Sequence, residues 1–292
     1  MSARAEMAEQ THGESRRLRI AAVGDVHFDG TSTGALREVF AEANREADVL
    51  ALLGDLTTHG RPEQIEAFIG ELKGVDIPIL AVLGNHDYEG DAAPTITQML
   101  ADRDVHVLDG SGVVIQGVGF AGTKGFAGGF GRGALAPFGE TLIKEFAKQS
   151  IDESIKLENA LRNLTAETRV VLLHYSPIEE TVHGEPEMIW PFLGSSRLVQ
   201  PIDTIGANVV FHGHAHHGSL EGRTPGGVPV FNVSMPILRS RELGFLLYEL
   251  AAPDRRGTRT RHQRADVQEE EVTGAESRSG ESAVRSGWAG QP

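Results

Sequence analysis

The sequence contains no cysteine. That excludes disulfides, thiolate metal sites, iron–sulfur clusters and cysteine nucleophiles, so any metal must rest on nitrogen and oxygen ligands. No apolar run approaches the ~20 residues needed to span a bilayer, so no membrane partner is expected. The polar first 17 residues lack the apolar stretch of a secretory signal, and a cytoplasmic protein is the expectation. Positive charge is also short. Lys and Arg number 27 against 41 Asp and Glu, a formal net charge of −14. Residues 1–17 and 253–292 each balance their bases and acids, so the whole excess falls in 18–252. A field of that sign repels a phosphate backbone, and no duplex nucleic acid is expected as a partner. It suits cation binding, and equally it suits a merely soluble acidic surface.

Both ends read as disordered: 1–17 at the N-terminus and 253–292 as a C-terminal tail, each too poor in aliphatic residues to offset ordering entropy. The middle, 18–252, reads as one α/β domain. Short apolar runs at 18–24, 49–54 and 77–84 have the character of buried strands. Between them, a helix capped by Ser32 or Thr33 runs to about 46, and a second opens at Pro62 with Ile65, Phe68, Ile69 and Leu72 on one face. This βαβαβ order implies parallel strands joined by right-handed crossovers. A short helix is expected near 94–102 and a long one over 138–164. Further strands are expected at 105–108, 113–116, 118–121, 169–173, 209–211, 228–233 and 244–250.

A polar cluster follows each of the first three strands: Asp25-Val26-His27, Gly54-Asp55 and Gly84-Asn85-His86-Asp87. They recur every 30 residues, about one βα unit. Each therefore falls at the carboxyl end of a parallel strand, where open α/β sheets bind ligands. His174 and the run His212-Gly213-His214-Ala215-His216-His217 follow later strands. Seven of the twelve histidines lie in these segments. Imidazole with carboxylate is a common ligand set for Zn, Mn and Fe.

The series DVH, GD, GNHD, H and GHAH, over residues 25–216, resembles the motifs of the calcineurin-like metallophosphoesterase family. The stretch GDLT-x-x-G-x-P is most similar to the bacterial cyclic-nucleotide phosphodiesterase branch. The resemblance implies a two-sheet α/β sandwich flanked by helices, with two divalent ions (Mn, Fe or Zn) at the strand ends. It implies that Asp25, His27 and His216 hold one ion, that Asn85, His174 and His214 hold the other, and that Asp55 bridges them. His86 would contact the phosphate or protonate the leaving oxygen, and Asp87 would orient His86 through its second ring nitrogen. An N-cap role is the alternative for Asp87.

The function expected on this resemblance is a two-metal hydrolase of a small phosphate ester, a diester rather than a monoester. The alternatives are a phosphomonoesterase or nucleotide pyrophosphatase on the same centre, or a metal-binding scaffold that recruits partners. Thr58 stands where purple acid phosphatases carry an iron-binding tyrosine, and HYSP around His174 departs from the commoner HxP. A glycine-rich loop, 122–133, reads either as a flap carrying Lys124 and Arg132 to the substrate phosphate or as a surface loop with tight turns. His217 is a further candidate for substrate contact, and His183, Glu185 and Glu187 are candidates for the rim. Family members are often dimers, so a homodimer remains open.

Overall fold

A computed structural model describes residues 17–252. The disorder expected of the two ends falls on residues outside that range, apart from Arg17. That residue opens the first strand, β1 (Arg17–Val23).

The chain then runs α1 (Arg37–Glu46), β2 (Val49–Leu53), α2 (Pro62–Glu71), β3 (Ile79–Val82), α3 (Asn85–Tyr88), α4 (Ala93–Ala101) and β4 (Val105–Val107). After these come β5 (Ser111–Ile115), β6 (Val118–Gly122), α5 (Thr141–Asn163), β7 (Thr168–Leu172), α6 (Trp190–Leu193), α7 (Val199–Ile205) and β8 (Val209–His212). The last elements are β9 (Glu221–Arg223), β10 (Pro229–Asn232), α8 (Met235–Arg239) and β11 (Leu246–Ala251).

Two sheets form. The first has strand order β11-β1-β2-β3-β4 and the second β5-β6-β7-β8-β10-β9. Strands β1 to β4 are parallel and β11 joins β1 antiparallel. In the second sheet β6, β7, β8 and β10 are parallel, with β5 and β9 antiparallel at the edges. The α/β sandwich with flanking helices is therefore the architecture of the domain.

Alternation along the second sheet's strands explains the layering. Phe120, Val170, Leu172, Val209 and Phe211 join the core shared with Ile20, Leu50 and Leu52 of the first sheet. Their neighbours Ala121, Val171 and Val210 face the other way, against Leu157 and Leu161 of α5 and Ile202 of α7. Successive side chains of a strand point to opposite faces, so such a strand is apolar throughout.

The start of the first helix differs from the sequence expectation, as does that of the long helix expected over 138–164, which opens at Thr141. Helix α1 starts at Arg37, with Leu36 as an N-cap that makes no side-chain bond. The buried Glu71 carboxylate accepts the Gly34 and Leu36 N–H groups at 2.6 and 3.0 Å and holds the preceding turn out of the helix. A capping interaction from 35 residues away replaces the local cap that Ser32 or Thr33 would have given.

Candidate metal centre

The centre is built from the loops that leave β1, β2, β3, β7 and β8. Four of its residues have left-handed backbone: Asp25 (φ 55°), His27 (φ 43°), Asp55 (φ 48°) and His214 (φ 72°). Such conformations are costly for residues with a Cβ and cluster at functional sites. The glycines just before the ligands are needed for close approach. A Cβ on Gly84 would lie 2.1 Å from Asp55 Oδ1, and one on Gly213 would lie 2.2 Å from Asp25 Oδ2.

The structure brings the seven expected metal ligands together. Asp25, His27 and His216 form one cluster of potential ligand atoms, and Asp55, His174 and His214 form another. In the first, His216 Nε2 is 3.0 Å from Asp25 Oδ1 and 3.2 Å from His27 Nε2. In the second, His174 Nε2 is 2.9 Å from Asn85 Oδ1 and 3.4 Å from Asp55 Oδ1. Asp55 Oδ2 faces the other way, 3.7 Å from His27 Nε2. One carboxylate thus lies between the two groups, with one oxygen toward each.

The surroundings fix how each ligand is presented. His174 is fully buried, and its Nδ1 donates to the Leu53 carbonyl at 2.8 Å. In the neutral ring this leaves a lone pair on Nε2. That lone pair points at the oxygens of Asn85 and Asp55, and three acceptors converging on one place call for a cation. Burial also holds His27 down at about 4 and His214 at about 3, whereas the hydrogen bond to the Asp25 carboxylate raises His216. Burial, reinforced by the charges of Asp25 and Asp87, pushes the Asp55 carboxyl up to about 9. A nearby divalent ion would reverse that shift. The donor set and the electrostatics both fit divalent metal ions.

His86 lies at the edge of the centre. It meets His27 edge-on with ring centroids 4.7 Å apart. Its Nδ1 donates to the Thr58 carbonyl at 2.8 Å, and Glu89 Oε2 lies 3.4 Å from the same nitrogen. Its main-chain N–H binds Asp55 Oδ1 at 2.8 Å.

The expected orientation of His86 by Asp87 is corrected by these contacts. Asp87 is fully buried, and its carboxylate accepts the N–H groups of Leu56, Thr57 and Gly84 and the Thr57 hydroxyl, at 2.8 to 3.2 Å. It ties the loop after β2 to the start of α3, and those four donors leave it no contact with His86. The 122–133 loop is corrected as well. It is largely buried and pinned rather than a free flap. Gly125 N–H donates to Glu153 at 2.9 Å, Gly128 N–H to the Pro191 carbonyl at 2.8 Å, and the Lys124 carbonyl accepts from His174 and Tyr175. The exposed part of the segment is the 131–133 turn, which carries Arg132 away from these anchors. Lys124 is half-buried. Its ammonium donates to the Gly125 carbonyl and sits 5.0–5.2 Å from the ring centres of Tyr88, Phe126 and Tyr175. His217 is exposed, and its N–H donates to Glu185 at 2.7 Å.

Sequence reasoning missed three contributors. Tyr175 packs on His214 with ring centroids 4.4 Å apart. The Phe192 carbonyl accepts from His214 Nε2 at 3.2 Å and so leaves Nδ1 as that ring's free donor to a cation. Buried Asn232 donates to the Ala215 carbonyl at 2.7 Å and supports the GHAH turn. The tyrosine following His174 was the one available signal. Phe192 acts through its main-chain carbonyl, which carries no residue signature, and Asn232 acts through a side-chain amide on a strand distant in sequence from the turn it supports.

This arrangement matches a known sequence family. Residues 18–218 match the family of calcineurin-like phosphoesterases, and the chain belongs to it. Members of this class are phosphoester hydrolases that use divalent metals. No curated protein matches the chain in sequence. Among solved structures, the chain is similar to the phosphopantetheinyl hydrolase of Mycobacterium tuberculosis, with 14 % identity and a TM-score of 0.59 over 83 % of this chain and 98 % of that one. It is also similar to the TT1561 protein of Thermus thermophilus, with 18 % identity and a TM-score of 0.47 over 81 % and 99 %. A third likeness is to a purple acid phosphatase of yellow lupin, with 14 % identity and a TM-score of 0.44 over 83 % and 47 %. At such identities the first of these supports the fold alone. Among the described residues no helix is long and apolar enough to cross a membrane.

Proposed function

We propose that the protein is a dinuclear metal-dependent phosphodiesterase. The position of Asp55, with one oxygen toward each of two ligand groups, carries the reading. Asp25, His27 and His216 would hold one ion and Asn85, His174 and His214 the other. Bound there, divalent ions would supply Lewis acidity to a phosphoryl oxygen and lower the pKa of water towards ~7.

The chain's own groups do the rest. His86 keeps a proton on Nδ1 through Thr58, so Nε2 is the nitrogen that meets substrate. Its ring is half-exposed, and Nε2 would deliver a proton to the leaving oxygen as the P–O bond breaks. The incoming oxygen is that of water, attacking phosphorus opposite the leaving oxygen, and the proton this water releases passes to solvent and replaces the one delivered to the leaving group. The site's charge favours a diester. Lys124, a cation whose charge acts on Asp55, is already enclosed by three rings. A singly charged diester makes less demand on positive groups than a doubly charged monoester.

The test compares hydrolysis of bis-p-nitrophenyl phosphate and p-nitrophenyl phosphate by chelator-stripped protein, with Mn, Zn, Fe or Mg restored singly and Asp55→Ala as control. Metal-dependent diester cleavage, absent from the control, is expected. Preference for the monoester would move the assignment to a phosphatase, and no turnover of either would refute the reading.

A further inference from the structure

Ten large apolar side chains are exposed among the described residues, and half of them lie in two short segments. Phe138, Leu142 and Ile143 stand at the start of α5, and Met188 and Phe192 stand around α6. Phe138, Leu142 and Met188 are more than three-quarters exposed.

The glycine-rich loop joins these segments. Gly128 donates its N–H to Pro191 at 2.8 Å and accepts the Leu135 N–H at 2.7 Å, which sets the two stretches on either side of it. Both stretches also connect to the metal centre. On one side, Phe192 accepts the His214 Nε2–H. On the other, ring contacts step from His214 to Tyr175 at 4.4 Å, to Phe126 at 6.0 Å and to Phe146 at 5.0 Å. Phe146 lies one turn of α5 after Leu142 and Ile143, on the same helix face. The exposed apolar side chains of both stretches thus stand, as one candidate patch, on segments that pack against the loops of the polar, buried metal centre. On a soluble domain such a patch marks a binding surface.

We infer that this patch is the subsite for a long apolar substituent of the phosphoester, so that the substrate is an amphiphile with its phosphate at the ions. The inference rests on the phosphodiesterase reading for the headgroup. Continuity of the patch with the His214 end of the centre argues for a substrate tail over a second copy of the chain. Its rings and aliphatic side chains offer a tail no fixed hydrogen-bonding partner, which suits a flexible alkyl chain.

The experiment uses the full chain loaded with Mn. Binding of methyl-, butyl- and octylphosphonate, whose C–P bonds do not hydrolyse, is measured by calorimetry. Hydrolysis of methyl, butyl and octyl p-nitrophenyl phosphate, all below micellar concentration, is measured alongside. A fully buried methylene contributes about 0.8 kcal/mol, about fourfold in affinity. On a half-open patch about twofold per methylene is expected, so octyl should exceed methyl by at least tenfold in both Kd and kcat/KM. Met188→Ser and Leu142→Ser should each flatten that slope. A flat series in the wild type, or a slope unchanged in both variants, would overturn the inference. So would a flat series with a concentration-dependent dimer in sedimentation, which would assign the patch to a second copy. Metal-dependent cleavage of the methyl ester reports on the phosphodiesterase reading separately, so the two failures are distinguishable.

Discussion

Replacing Gly84 by alanine should dismantle the metal centre while leaving the fold intact. Gly84 has φ −103°, which alanine adopts freely, so backbone strain contributes nothing. The added Cβ would instead lie 2.1 Å from Asp55 Oδ1 and 2.3 Å from the Asp55 nitrogen. Both are more than 1 Å short of an ordinary contact, and the Asp55 backbone cannot yield easily because its loop is held by His27 N–H at 3.0 Å. The carboxylate and the main chain at Gly84 and Asp55 must therefore move apart locally by about 1 Å. Metal–ligand distances tolerate ~0.2 Å, and misplacement of a reacting group by ~1 Å costs about 10²-fold in rate. Gly84→Ala should lower Mn affinity by calorimetry at least tenfold and kcat/KM about a hundredfold, with the circular dichroism spectrum unchanged. Gly70→Ala is the control. Its Cβ would meet nothing within 4 Å on α2, and it should stabilise the protein by up to ~1 kcal/mol through helix propensity. A Gly84→Ala protein that binds Mn within threefold of the wild type would refute the reasoning.

Three further outcomes follow from the same geometry. The metal-free protein should lose stability from pH 6.5 to 9. Asp55 titrates at about 9 in the fold against about 3.8 unfolded, so its folded state binds the extra proton and that stabilisation fades as pH rises through this range. His27 and His214, held at about 4 and about 3, add an opposite slope, but only below 6.5. Thermal melts with and without Mn should therefore diverge increasingly above pH 6.5, by at most ~1.4 kcal/mol per pH unit for the one proton on Asp55, and parallel curves would count against it. Asp87→Ala strands three buried N–H groups and a hydroxyl, and urea unfolding should show a loss of about 3 kcal/mol or more. Glu153→Ala removes the acceptor for Thr123, Gly125 and Lys156, and amide exchange in 122–130 should accelerate at least tenfold relative to β1.

The fold's first half was legible because its strands are uninterrupted apolar runs closed by Gly-Asp or Gly-Asn, and its helices show single apolar faces. The even spacing of Asp25, Asp55 and Asn85 placed them on neighbouring strand ends, and the structure gathers them there. Less could be read where a local pattern competes with a distant partner. Glu71, not Ser32 or Thr33, sets the start of α1. Asp87 sits beside His86 in sequence, yet its carboxylate turns to four donors of the neighbouring loops. The pinning of 122–133 depends on Glu153 and Pro191, which no pattern within a glycine-rich segment reveals. Short elements such as α6, α7 and β9 carry too few residues for a period to show.

Metal stoichiometry tests the central claim most directly. Chelator-stripped protein titrated with Mn, followed by calorimetry and by elemental analysis after desalting, should bind two ions per chain. Asp55→Ala should lower the affinity of both. One equivalent or none in a fully folded wild type, or two equivalents bound as tightly by Asp55→Ala, would contradict the account of Asp55 as the shared ligand of a dinuclear centre.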